Sequence, residues 1–93
     1  MPTNLKVGAH NYQIVLTDQI DDFGACEHTK LRILINNSAP QSQQEETLIH
    51  EALHAIFDIT GISKDLTDLE EEKIVQPLGH AIYQLLLDNK LLK

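Results

Sequence analysis

The stretch Thr47-Leu48-Ile49-His50-Glu51-Ala52-Leu53-His54-Ala55-Ile56-Phe57 decides how this chain of 93 residues is read. It lies within residues 41–59, which contain no Gly or Pro and open on a run rich in Gln, Glu, Leu and Ala, all good helix formers. Leu48, Ile49, Ala52, Leu53, Ile56 and Ile59 recur at three- and four-residue spacing. With Phe57, apolar residues cover most of the circumference, so the helix is expected at the buried centre of the fold. Ser42 followed by Glu45 fits a Ser-x-x-Glu capping box at its start, and Gly61 is suited to the position just past its end.

Working outward, the segment after the helix reads as a loop through Ser63, Lys64 and Asp65. A last helix follows, with Asp68 to Glu72 as its acidic first turn and Ile74, Val75, Leu78, Ile82, Leu85 and Leu86 as its stripe. Pro77 falls inside that pattern and should kink or break it. Before the central helix the chain reads as strands. Residues 5–7 and 12–16 form an expected hairpin around Gly8-Ala9-His10-Asn11. Residues 31–35 are the best strand, β-branched and bounded by polar residues, and 25–28 can pair with them through a turn at Thr29-Lys30. The fold class expected is α+β. A small, mainly antiparallel sheet of three or four strands (residues 1–40) precedes a motif helix and a closing helix (41–93), all in one domain.

Composition narrows the function. Hydrophobic residues are 42% and charged residues 23%, an ordinary globular balance. Seven Lys and Arg against fourteen Asp and Glu give a net charge of −7, which argues against nucleic acid or an anionic membrane surface as partner. No apolar run approaches a membrane span, no secretory leader is evident, and the single Cys26 has no internal partner. A cytoplasmic setting is the expectation.

His50-Glu51-Ala52-Leu53-His54 is an HExxH pattern. Four-residue spacing projects both imidazoles from one helix face, where two ring nitrogens can meet one tetrahedral Zn²⁺. Glu51 is then placed to reach a zinc-activated water as general base, passing the proton on to a leaving amine. Three polar side chains in the most apolar helix call for such partners, since each buried unpaired costs about 1–3 kcal/mol. A third ligand must come from elsewhere. No histidine follows at close spacing, and Glu70-Glu71-Glu72 is the better source. Helix phase at about 100° per residue turns Glu71 toward the core, leaves Glu72 at the edge of that face, and puts Glu70 on the other side.

The run from Thr47 to Ile56 resembles the active-site helix of small phage- and prophage-encoded metallopeptidases related to the ImmA/IrrE-type family, minimal members of the gluzincin class. Glu71-Glu72-Lys73-Ile74-Val75, with Leu78 and then residues 83–89, is similar to their closing helix. The likeness covers about the last half of the chain, and the amino-terminal strands match only in outline. It implies a zincin-like fold in which His50, His54 and one closing-helix glutamate bind Zn²⁺. That glutamate corresponds to Glu72, three before Val75. Glu72 therefore ranks first and Glu71 second, with Pro77 a departure from the family's smooth helix.

The remaining candidates carry plainer readings. Asp58, four residues after His54, is able to orient that imidazole or to stay solvated. Tyr12 and Tyr83 are possible oxyanion donors, with packing or exposure the default for Tyr83. His10, His28 and His80 read as surface histidines. Cys26 reads as a small buried hydrophobe, its alternative being a thiolate that masks the zinc. The strand at 31–35 is expected nearest the cleft, with an edge to which an extended peptide can add. The function expected is a zinc-dependent metallopeptidase acting on a peptide or protein substrate. The alternative is a non-catalytic phage or prophage interaction module with a structural zinc. Oligomeric state is not legible.

Overall fold

A computed structural model describes residues 1–91. Strands β1 (Asn4–Val7), β2 (His10–Thr17), β3 (Gly24–Glu27) and β4 (Arg32–Asn36) are followed by helix α1 (Gln41–Thr60), a 3₁₀ turn (Ile62–Asp65) and helix α2 (Asp68–Asp88). The sheet order is β1-β2-β4-β3. The two hairpins, β1–β2 and β3–β4, are antiparallel as their short turns require, but β2 and β4 run parallel where the hairpins meet. The sheet is therefore mixed. The 18–23 segment carries the chain across β4's place to the far edge, and β4 then returns between β2 and β3.

That insertion corrects one expectation. β4 is paired on both sides and has no free edge; the edge strand beside the cleft is β3. Burial explains the choice. Ile33 and Ile35 of β4 are fully buried, beside Tyr12 and Ile14 of β2, so the most β-branched strand takes the most protected position. Val7 and Ala55 complete the core, with Leu5, Cys26, Leu31, Leu48 and Ile59 packed around it. α1 packs on the sheet, and α2 packs on α1.

α1 lies on the sheet through Leu48, Ala55 and Ile59, but it is not buried all round: Ile56 is 40% exposed. Its start also differs from expectation. Pro40 is the N-cap, no side chain caps it, and Ser42 lies inside the first turn. Proline's fixed φ and the extended ψ of 154° set the entry, so the Ser-x-x-Glu box does not form. Glu45 instead accepts a 2.7 Å hydrogen bond from the Tyr83 hydroxyl. The end is as expected, with Gly61 left-handed at φ 84°.

α2 is unbroken through Pro77. Its capping box is built by Thr67 and Glu70, each accepting from the other's main-chain N–H at 3.1 and 2.8 Å. It rests on α1 rather than on the sheet, through Val75, Gly79 and Tyr83. This face is rotated from the apolar stripe, and Ile74, Leu78 and Leu85 are exposed. Gly79 lies at the helix crossing, where a Cβ would make an ordinary contact 3.5 Å from the His50 Cα, and hydropathy gives such a residue no weight on the packed face. The Cα radius of gyration is 12.8 Å, near the roughly 12 Å of a compact folded chain of this length. No helix among the described residues is long and apolar enough to cross a membrane.

Candidate metal centre

The packed face of α2 runs through Val75, and residues three and four before it lie on either side of that line. Glu72 and Glu71 therefore both point at α1, and each meets the motif histidines differently. Glu72 Oε1 is 2.8 Å from His50 Nε2, and its Oε2 is 3.1 Å from His54 Nε2. Glu71 Oε2 is 2.5 Å from the other nitrogen of His54, Nδ1. Ser63, on the 3₁₀ turn, donates its hydroxyl to Glu71 Oε1. Two adjacent acids thus hold the two nitrogens of one ring.

His50, His54 and Glu72 form a group able to hold a metal ion: one ligand atom from each lies within 4.8 Å of the others. A tetrahedral ion with bonds of about 2.1 Å spaces its ligands about 3.4 Å apart. The contacts of 2.8 and 3.1 Å fall a few tenths of an ångström short of that, so a small retreat of the Glu72 carboxylate admits a cation. Glu72 is free to retreat, its side chain being 43% exposed. The imidazole centroids are 5.0 Å apart.

Glu51 lies on the sheet side of α1, 8% exposed. It fits there because β3 begins with a glycine. A Cβ at Gly24 would fall 2.5 Å from Thr47 Cγ2, 2.8 Å from the Leu34 carbonyl oxygen and 3.4 Å from Glu51 Cγ. α1 and β3 thus approach closer than any side chain allows. Burial pushes the Glu51 carboxyl up to about 7; His54 opposes this, and Glu72 and Asp22 add to it. Burial lowers His50 despite Glu72. Burial pulls His54 the same way, but its hydrogen bond to Glu71 and the charges of Glu51, Glu72 and Glu71 outweigh it, so the His54 pKa is raised. Glu71 is lowered: burial would raise it, but the Ser63 and His54 hydrogen bonds prevail.

Three of these groups open on a cleft of about 980 Å³. His50, Glu51 and Glu72 line it together with Asp22, Phe23, Gly24, Glu46, Thr47 and His80. β3 forms one wall. The Phe23 carbonyl accepts from Asn36 N–H at 2.8 Å, so by alternation the main-chain groups of Gly24 and Cys26 point away from β4, toward the open edge.

The other candidates lie apart. Asp58 does not orient His54; it stands 3.7 Å from His28 Nδ1, and Glu71 has the contact to His54 instead. Tyr12 is wholly buried in the sheet core with its hydroxyl 3.5 Å from His28 Nδ1, away from the cleft. Tyr83 is buried too. Its hydrogen bond to Glu45, with burial, pushes it up to about 12. The Cys26 thiol is pushed up to about 12, by burial first and then by the carboxylates of Glu51, Asp58, Glu71 and Glu27, which disfavours a masking thiolate. His10 is exposed at the start of β2. His80, 71% exposed, pairs with Glu46 at 2.6 Å on the cleft rim. Sequence reasoning passed over Ser63, which sits in a polar loop without pattern, and Gly24, where an isolated glycine at a strand start is a signal of close backbone approach.

No known family model, curated protein or solved structure matches this chain.

Proposed function

We propose that the protein is a zinc-dependent peptidase-like hydrolase of minimal zincin type, as its likeness to the ImmA/IrrE-type metallopeptidases implies. One observation carries the reading: a single carboxylate, Glu72, contacts Nε2 of both motif histidines while Glu51, between them in sequence, is buried on the cleft wall. His50, His54 and Glu72 would hold the ion. Two imidazoles and one carboxylate in a compact group suit Zn²⁺. When bound, the ion supplies Lewis acidity toward a carbonyl and a lowered pKa for water.

The chain's own residues do the rest. Glu51 accepts the proton of the attacking water at its carboxylate and delivers it to the leaving amine nitrogen. Its burial favours taking up that proton, and a nearby cation favours releasing it. A peptide substrate would lie extended along β3, pairing with the outward main-chain groups of Gly24 and Cys26. With one unpaired cysteine, a reducing cytoplasm suits the chain.

A second reading is an interaction module of the phage or prophage type with a structural metal. It is favoured by the exposed row Ile74, Leu78 and Leu85, an apolar face of α2 without a partner among the described residues. Metal content by mass spectrometry on tag-free protein, beside His54→Ala and Glu72→Ala, tests the site. One zinc per chain, lost in both variants, supports it. The two readings then separate on zinc-dependent cleavage of an unfolded protein that Glu51→Gln abolishes while zinc stays bound. Zinc without cleavage of any substrate favours the module, and no zinc at all overturns both.

A further inference from the structure

Glu71 has no place among the three groups able to hold an ion, yet it is better buried than Glu72. Its side chain is 13% exposed, against 14% for His54 and 43% for Glu72. A largely covered carboxylate pressed against a largely covered imidazole is not a solvated first-turn acid. Three segments meet at this ring. α1 supplies His54, α2 supplies Glu71, and the 3₁₀ turn between them supplies Ser63, whose hydroxyl fills the second oxygen of Glu71. With both oxygens engaged, Glu71 has one orientation, and it accepts from Nδ1 of His54.

We infer that Glu71, held by Ser63, is a positioning residue for metal binding. It keeps a proton on Nδ1 of His54, so that an ion taking the place of the proton between Nε2 and Glu72 meets the Nε2 lone pair, with Glu72 and His50 beside it. An imidazole can offer a metal one nitrogen only while the other carries the proton, and a carboxylate on that second nitrogen both selects the tautomer and locks the ring. His54 thus reaches the site already oriented. The connection from α1 to α2, through Ser63, takes part in ion affinity without touching the ion. The inference deepens the metal reading given above and rests on it.

Zinc affinity measured by chelator competition tests it on wild type, Glu71→Gln, Glu71→Asp, Ser63→Ala and Glu72→Ala. Circular dichroism melts verify that each variant folds. Loss of such an outer partner costs about 10–100-fold in metal affinity. The expected order is a loss of that size in Glu71→Gln, a smaller one in Ser63→Ala, partial recovery in Glu71→Asp, and no measurable site in Glu72→Ala. Ring ¹⁵N shifts of zinc-loaded wild type should report His54 as the Nδ1–H form. This readout holds even if a Glu71 variant does not fold, and an Nε2–H ring there overturns the inference. Wild-type affinity in Glu71→Gln overturns it as well. So does complete loss of the metal in Glu71→Gln with retention in Glu72→Ala, which would make Glu71 the ligand. If wild type binds no zinc, it is the metal reading that fails, and this inference fails with it.

Discussion

Replacing Glu51 with Gln in metal-free protein should flatten the dependence of stability on pH. The Glu51 carboxyl is raised from 4.5 to about 7. The folded protein therefore holds this proton more tightly than the unfolded chain does. The stability that follows is full below about pH 4.5 and is lost as pH climbs through about 7. At about 1.4 kcal/mol per pKa unit the whole change is about 3 kcal/mol. Coupling to His54, which loses a neighbouring charge in the variant, trims this to about 2–3 kcal/mol. The raised His54 also costs stability as pH rises, but it does so in both proteins and largely cancels from their difference. Urea unfolding of chelator-treated wild type and Glu51→Gln from pH 5 to 8.5 measures the effect. Between those limits the difference should move by about 2–3 kcal/mol in favour of Gln, on top of any constant offset from the new amide. Zinc should reduce the movement, since a cation beside the carboxyl pulls its pKa back down. Parallel pH profiles would refute the reasoning, because a buried, proton-retaining Glu51 cannot give them.

Zinc at about one hundred times its dissociation constant should add about 2.7 kcal/mol to stability and raise Tm by roughly 10–20 °C, reversibly with chelator and not at all in His54→Ala. Gly24→Ala should cost about 1–3 kcal/mol in denaturant unfolding, because the added methyl meets Thr47 Cγ2 and the Leu34 carbonyl. Trimming Thr47 to Ala should recover only part of that, since the carbonyl remains. Thr67→Ala should cost about 1 kcal/mol through loss of the α2 cap, whereas Ser42→Ala, which removes no capping bond, should change unfolding by less than about 0.5 kcal/mol.

What could be read from the sequence was what repeats locally. The four-residue spacing of His50 and His54 and the periodicity around them give α1, and Gly61 gives its end. The two hairpins follow from short turns. The parallel joint of β2 with β4 has no such signal: its partners, Gln13 with Arg32 through Thr17 with Asn36, lie nineteen residues apart, and only burial chooses between the possible neighbours. The pair Glu71 and Glu72 was legible as a pair. Phase put Glu71 toward the core and the family likeness pointed to Glu72. In the fold both face α1, because the buried line of α2 passes between their directions. Hydropathy misplaced that line by counting Ile74 and Leu78 and overlooking Gly79. Ser63 was out of reach, because its part depends on a ring that arrives from another helix.

The parallel joint also bears on how the chain folds. Each hairpin closes on its own, on the microsecond scale of local turns. Joining them closes a loop from β2 to β4 that contains the whole of β3, and the price is chain entropy with little local reward. Until the joint forms, β2 and β4 each present an unpaired edge, and these edges carry Tyr12, Ile14, Ile33 and Ile35. Those edges recognise each other equally well from two different chains. Crowded refolding should therefore produce hairpin-exchanged dimers and aggregates that share this one seam, and dilution should restore the monomer.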